Sequence, residues 1–143
     1  MGLLKFLSPF LFLFCFTFSS CEKEPGEGGL ATIQGKVYIL EYNANCAELR
    51  FEYYAVDEDV FIIAGDDPSY FERVRTGPDG TFWFPYLREG RYTIYALSED
   101  CSLNPETSEV EMIMQNSPEA ISIEVEISEK KQELILDDII VYR

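Results

Sequence analysis

The strongest constraint on the fold is an alternation of apolar and polar residues with a period of two, which recurs from residue 31 onward. Successive side chains of a β-strand point to opposite faces, so this period indicates strands with one buried face and one face toward water. Residues 33–39 and 121–127 are the clearest examples, and the continuous apolar run 60–64 is typical of a strand buried on both faces. The sequence therefore predicts an all-β domain, a single β-sandwich of about seven to nine strands.

The first 20 residues follow a different pattern. Lys5 precedes an apolar run over residues 6–18, which is shorter than the roughly 20 residues that a membrane-spanning helix needs. A short positive region followed by such a run indicates a cleaved secretory signal peptide, with a retained anchor helix as the alternative. Residues 18–21, Phe-Ser-Ser-Cys, resemble the lipobox of bacterial lipoproteins. The resemblance implies cleavage before Cys21 and attachment of lipid to this cysteine.

Residues 21–30 are predicted to be the lipidated cysteine and a flexible tether, because residues 22–29 are acidic, glycine-rich and too polar to bury surface. Acidic residues directly after a lipidated cysteine resemble the surface-export signals of Bacteroidetes lipoproteins. This resemblance implies an outer-membrane lipoprotein on the cell surface, with the periplasmic face as the alternative. The folded domain is predicted to occupy residues 31–143.

Composition excludes several classes of function. Without residues 1–20, the chain has 123 residues with 10 Lys and Arg against 26 Asp and Glu, a net charge of −16. One domain is therefore expected, nucleic acid is disfavoured as a partner, and membrane association must come from the lipid anchor. Histidine is absent, which removes the commonest general base and the commonest neutral metal ligand. We predict no enzymatic activity, no cofactor and no metal site.

Two cysteines remain for the domain. Cys46 and Cys101 both lie in predicted loops, and an exported protein folds where disulfides form and persist. The sequence predicts a Cys46–Cys101 disulfide, with two free thiols as the alternative.

The segment TGPDGTFWFPYLREGRYTIYA, residues 76–96, resembles the carboxypeptidase regulatory-like domain, a transthyretin-like sandwich. The matching positions include the turn at residues 76–80, two aromatic residues, Phe82 and Phe84, and the residues Gly90 and Tyr92. The resemblance covers roughly residues 31–143 and implies a non-catalytic stalk, spacer or binding module. The fold implied is an Ig-like or prealbumin-like form of the predicted sandwich. Within this segment, Phe82, Phe84 and Tyr86 are predicted to share one face, with Phe82 and Phe84 filling the core and Leu87 closing the end of the sandwich.

Trp83 is the one tryptophan, and its parity places it on the face opposite to Phe82 and Phe84. If the two strands around Gly90 form a hairpin that pairs Phe84 with Ile94, Trp83 lies directly opposite Tyr95. Such an exposed aromatic pair is a stacking platform for a sugar ring. The alternative is a cross-strand pair that only stiffens the sheet, by about 0.2–1 kcal/mol.

The predicted function is that of a non-catalytic, lipid-anchored module of the cell envelope. It serves either as a structural or protein-interaction module or, alternatively, as a glycan-binding accessory lipoprotein of a polysaccharide-uptake system. Exposed Trp83 and Tyr95 would favour the glycan, whereas a long unpaired edge strand would favour a protein partner.

Overall fold

A computed structural model describes residues 24–44, 46–99 and 118–143. The predicted signal peptide at residues 1–20, its lipidation site Cys21, and Cys101 lie outside these ranges. The described part of the chain contains nine β-strands and no helix, and accordingly no helix that could cross a bilayer. The strands are β1 (Glu27–Tyr42), β2 (Leu49–Tyr54), β3 (Asp59–Ala64), β4 (Glu72–Arg75), β5 (Thr81–Leu87), β6 (Gly90–Ser98), β7 (Glu119–Ile127), β8 (Glu133–Ile135) and β9 (Ile139–Tyr142).

The first sheet is built around β1. β2 and β5 pair with it in antiparallel orientation, and β8 and β9 pair with it in parallel orientation. Val37 places β2 and β5 along the same edge, because its N–H donates to the Gly80 carbonyl and its own carbonyl accepts from the Ala55 N–H. β8 and β9 occupy the opposite edge, where the Leu136 N–H donates to the Gln34 carbonyl.

The second sheet is antiparallel throughout, in the order β4–β3–β6–β7. Alternate side chains of both sheets point inward and form one hydrophobic core. The largest fully buried side chains are Tyr92, Phe82, Phe84, Ile33, Ile62, Leu87, Ile94, Ile127, Ile139, Val37, Val60 and Val141. The predicted all-β sandwich of seven to nine strands is thus confirmed.

The turn predicted at residues 76–80 forms as its sequence indicates. The Gly80 N–H donates to the Gly77 carbonyl, and Gly80 has a φ of 78°, which only glycine adopts at little cost. A Cβ atom on Gly80 would lie 2.8 Å from the Val37 carbonyl oxygen. The glycine therefore allows β2 and β5 to meet along β1.

The connection between β5 and β6 differs from the predicted hairpin. β5 pairs with β1 in the first sheet, whereas β6 lies between β3 and β7 in the second. Leu87 and Tyr92 are both buried between the sheets, so the chain crosses over at Arg88–Glu89 rather than folding back. The Tyr92 hydroxyl donates to the Arg88 carbonyl at 2.8 Å, which fixes this corner much as a tyrosine corner does in other sandwiches.

Tyr86 is also placed differently from the prediction. Phe82, Phe84 and Leu87 are buried as expected, but Tyr86, predicted to share the face of Phe82 and Phe84, is 65% exposed. Between the pairs Ile33–Phe84 and Ala31–Leu87, β5 has one more residue than β1, which defines a β-bulge. Tyr86 adopts a φ of 59° at this bulge, and the extra residue reverses the parity that the sequence alone suggests.

The domain begins earlier than predicted. The sequence predicts a tether over residues 21–30, but β1 starts at Glu27, and the Gly26 N–H donates to the Tyr92 hydroxyl at 2.8 Å. Gly29 packs so tightly that a Cβ atom there would lie 1.8 Å from the Leu87 carbonyl oxygen. The glycines of this acidic segment thus permit close packing against β5. Composition alone cannot distinguish glycines that allow close packing from glycines of a flexible tether.

Candidate functional site

The outer face of the first sheet carries an exposed row of three residues on adjacent strands. Trp83 of β5 pairs with Gln34 of β1, which pairs on its other side with Ile135 of β8. Trp83 is 52% exposed and Ile135 is 75% exposed. Trp83 contacts no other ring in the part of the chain that the structure describes. The Gln34 amide makes no hydrogen bond to that part of the chain either.

A second row lies further along β1. Tyr38 pairs with Tyr54 of β2 and with Ile140 of β9, so all three side chains share the face of Trp83. The Tyr38 and Tyr54 rings meet edge to face at 5.1 Å, and the Tyr54 hydroxyl donates to the Asp138 carboxylate at 3.2 Å. The two rows cross β1 at Gln34 and Tyr38, which are four positions apart, a distance of about 13 Å. We refer to Trp83, Gln34, Ile135, Tyr38, Tyr54 and Ile140 together as the aromatic face.

A charged side chain, Lys36, lies between the two rows of the aromatic face and contacts one of its rings. The Lys36 ammonium lies 4.6 Å from the centre of the Tyr54 ring and 3.5 Å from the Asp79 carboxylate. Hydrogen bonds from Thr81 lower the pKa of the Asp79 carboxyl, which favours its negatively charged form beside Lys36. Desolvation raises the pKa of the Tyr38 hydroxyl, and the Glu52 carboxylate raises it further. Tyr54 is therefore held in place by Tyr38, Lys36 and Asp138. Trp83 is half exposed and contacts no other ring of the described residues.

Tyr95 lies elsewhere, so the predicted pairing of Trp83 with Tyr95 is wrong. Tyr95 occupies the outer face of the second sheet, where it pairs with Phe61 and Ser122. Its ring stacks on Phe61 at 4.9 Å with an interplanar angle of 13°, and Tyr70 packs on Phe61 at 4.9 Å. Because β5 and β6 lie in different sheets, the two predicted stacking residues lie on opposite sides of the sandwich.

The carboxylates of the second sheet are engaged in ion pairs. Arg75 contacts both Asp57 and Asp59, and Arg73 contacts Asp59. Within the described ranges, no group of three or more Cys, Asp or Glu side chains is placed to hold a metal ion. These acidic loops therefore form salt bridges on the surface.

Cys46 lies in the loop between β1 and β2, with a φ of 52°. It is half of a disulfide in the structure. Its predicted partner, Cys101, lies outside the described residues, so the Cys46–Cys101 pairing stays a prediction.

The longest strand at a sheet edge is β7. Within the described ranges it pairs on one side only, with β6, and its exposed positions include Glu119, Glu124 and Glu126. Charged side chains along an edge oppose unspecific pairing with other strands. This edge therefore has weaker features of a binding surface than the aromatic face.

Sequence reasoning identified Trp83 but missed the residues that surround it. The parity of β1 gives the outward position of Tyr38, since Ile33, Val37 and Ile39 are inward. The neighbours Ile135 and Ile140 reach the same face only through parallel pairing of β8 and β9 with β1, for which the sequence has no local signal.

No family model and no curated protein matches the sequence, so the resemblance to the carboxypeptidase regulatory-like domain stays a prediction. Among solved structures, a similar one comes from Pseudomonas aeruginosa and is provisionally described as a carbohydrate binding protein. It matches with a TM-score of 0.44 and 13% sequence identity, over 82% of this chain and 91% of that chain. A likeness of this extent does not establish what the present chain binds.

Proposed function

We propose that this protein is a non-catalytic binding module of the bacterial cell envelope, and that the aromatic face binds a protein partner. In this proposal, lipid on Cys21 anchors the module to the outer membrane, at the cell surface or, alternatively, on the periplasmic side. The observation that carries the binding surface is the row in which Trp83 and Ile135 are exposed on either side of Gln34.

The composition of the aromatic face favours a protein partner. Tryptophan and tyrosine are enriched among the residues that contribute most to protein–protein binding, and contiguous exposed apolar surface marks such sites. Exposed Ile135 and Ile140 add apolar surface to the rings, Lys36 lies between the two rows, and Asp138 lies beside Tyr54. Without residues 1–20, two copies of the chain with a net charge of −16 each repel one another, which favours a different protein over self-association.

A glycan is the second candidate, and one observation favours it. The uncovered Trp83 ring lies beside the Gln34 amide, which is without a hydrogen-bond partner in the described part of the chain. An apolar ring beside a free amide can stack a sugar and bind one of its hydroxyls. The acidic surface would select a neutral glycan over an anionic one.

Site-specific photocrosslinking in native envelopes tests the protein partner. A photoreactive amino acid at Ile135 should give an adduct with a second protein, because this residue lies in the aromatic face. The same group at Glu124, on the outer face of the second sheet, is the matched control and should give none. Trp83→Ala should abolish the adduct at position 135. Equal adducts from both positions would contradict the assignment of the surface.

If no protein adduct forms, retention of the full-length protein on neutral polysaccharides tests the second candidate. Trp83→Ala should remove the retention, whereas Phe51→Ala, which removes a 62% exposed ring outside the aromatic face, should leave it intact. Absence of both the adduct and the retention would refute a binding role for the aromatic face.

The anchor has its own test. Cys21→Ala, combined with replacement of residues 1–20 by a signal peptide whose cleavage does not need this cysteine, should move the protein from the membrane fraction to the soluble fraction, because an acidic domain has little attraction for anionic lipid. A variant that remains with the membrane would contradict lipid anchoring through Cys21.

A further inference from the structure

The N-terminal end of the described chain is fastened to the sandwich by a small hydrogen-bond network. The Gly26 N–H donates to the Tyr92 hydroxyl at 2.8 Å, and the Gly26 carbonyl accepts from the Arg88 N–H at 2.9 Å. The Tyr92 hydroxyl in turn donates to the Arg88 carbonyl. Tyr92 is 1% exposed, so these bonds are shielded from water, and breaking them would leave buried polar groups unpaired.

Packing adds to this network. Pro25 lies against Gly90, where a Cβ atom would be 2.6 Å from the Pro25 Cγ atom. Any side chain at position 90 would therefore displace the incoming chain. We refer to these contacts of Pro25 and Gly26 with Arg88, Gly90 and Tyr92 as the clamp.

The clamp shortens the spacer between the domain and a lipid on Cys21. Gly26 follows Cys21 by five positions in the sequence, and at about 3.6 Å per position this stretch spans at most about 18 Å. A tether that ended at residue 30 would span about 32 Å on the same basis. The clamp thus keeps the anchor end of the domain within about 18 Å of a lipid on Cys21.

The clamp also determines which end of the sandwich is nearest to the anchor. Ala64 pairs with Tyr92, and Gly90 pairs with Ile127, so the connections that follow β3, β5 and β7 gather at the end where Gly26 is held. We call this the anchor end; it comprises residues 65–71, 88–89 and 128–132. The connection between β1 and β2, residues 43–48, lies at the opposite end, because β1 runs away from the clamp for its 16 residues.

We propose that the sandwich stands upright on the membrane, with its anchor end against the lipid surface and the aromatic face presented sideways. This inference rests on the lipid anchor of the proposed function. β1 starts at the clamp and runs to the opposite end of the sandwich. With the anchor end against the lipid, the strands of the first sheet therefore run along the membrane normal. Trp83 lies four residues from Leu87 at the anchor end, about 13 Å away along the strand. The row of Trp83 is therefore nearer to the membrane, and the row of Tyr54 is further from it.

Fluorescence quenching by lipids tests this orientation. The full-length lipidated protein is placed in phosphatidylcholine vesicles that contain lipids with spin-labelled headgroups, and a fluorescent amino acid replaces either Glu89 or Ala47. Both positions are exposed, the first at the anchor end and the second at the opposite end. We expect quenching of the probe at position 89 and little quenching at position 47.

Two variants test the role of the clamp. Tyr92→Phe removes the hydroxyl that binds Gly26, and eight Gly and Ser residues inserted between Lys23 and Glu24 lengthen the spacer while leaving the clamp intact. Each should reduce the difference between the two probe positions. Tyr53→Phe is the matched control, because it removes an exposed tyrosine hydroxyl bound to Glu41, away from the anchor end, and should leave the difference unchanged.

The outcomes separate the orientation from the anchor. Equal quenching at positions 89 and 47 in protein that sediments with the vesicles would overturn the upright orientation. Protein that does not sediment with the vesicles would instead overturn the proposed anchor on Cys21.

Discussion

The two outer faces of the sandwich both carry aromatic side chains, yet they differ in what these rings contact. On the second sheet, Tyr95 and Tyr70 cover Phe61, which is only 8% exposed although it points away from the core. On the first sheet, Trp83 is 52% exposed and Ile135 is 75% exposed. The Phe61 ring of the second sheet is therefore covered by its neighbours, whereas Trp83 of the first sheet stays half exposed.

The charged residues show the same contrast. On the second sheet, Arg73 and Arg75 pair with Asp57 and Asp59 beside the aromatic cluster. On the first sheet, Lys36 contacts Tyr54 and Asp79 and leaves Trp83 half exposed. Outward parity thus identifies surface positions, and only the neighbours across the strands decide which of them can bind a ligand.

Alanine substitution at one ring on each face should give the largest difference. Phe61→Ala should lower the free energy of unfolding by about 3 kcal/mol, because it removes a nearly buried ring and opens a cavity under Tyr95 and Tyr70. Trp83→Ala should lower it by about 1 kcal/mol or less, since half of that ring is already in water. Urea unfolding of both variants measures the difference. A loss at Trp83 as large as that at Phe61 would make the aromatic face a structural element.

The coverage of the rings on the second sheet can also be tested at alkaline pH, through the effect of Tyr95 on the free energy of unfolding. Desolvation raises the pKa of its hydroxyl above the ordinary value of 10.0, and the neighbouring Tyr70 raises it further. The folded chain then keeps a proton that the unfolded chain loses, so the free energy of unfolding decreases as the pH rises through 10.0 and above. Tyr95→Phe should make the decrease between about pH 9 and about pH 11 smaller.

Unfolding measured across that pH range provides the test. Tyr86→Phe is the control, because its ring is 65% exposed at the bulge and outside the Phe61 cluster. If Tyr95→Phe and the wild-type protein lose stability equally as the pH rises, the Phe61 cluster does not retain the Tyr95 proton.

The ion pairs of the second sheet should contribute least. Arg75→Gln removes the contacts with Asp57 and Asp59, but Arg75 and Asp57 are mostly exposed and Asp59 is a third exposed, so we expect the smallest loss of stability of these substitutions. The loss should also decrease as salt is added. Thermal unfolding at low and high salt measures both effects. A large loss of stability that does not depend on salt would mean that these ion pairs are needed to hold the outer face of the second sheet in its conformation.

The strands themselves could be predicted from local pattern. Alternation correctly assigns Ile33, Val37, Phe82, Phe84 and Ile94 to the core, because each lies in a regular strand with one covered face. The fold class follows from the same signal, since strands with a single apolar face require a second sheet to cover it.

The candidate site could be predicted only in part, because it depends on pairing between distant segments. Trp83 is outward by parity, but its neighbours are set by two features without a local signal. One is the crossover at Arg88–Glu89, a two-residue connection of the length that usually makes a hairpin. The other is the parallel pairing that brings Ile135 next to Gln34. The bulge at Tyr86 was missed for a related reason, since it depends on the register with β1.

The central position of β1 also has a consequence for how the chain folds. β1 is the first strand of the domain, but its second edge is completed only by β8 and β9, so Ile33 pairs with Leu134 and Val37 with Ile139. Contacts over such separations form slowly, because a long loop must close before they stabilise the chain. The first sheet cannot be completed until the last strand has been synthesised. In a nascent chain, this edge of β1 therefore stays without its partners in the described sheet until residues 133–142 have been synthesised.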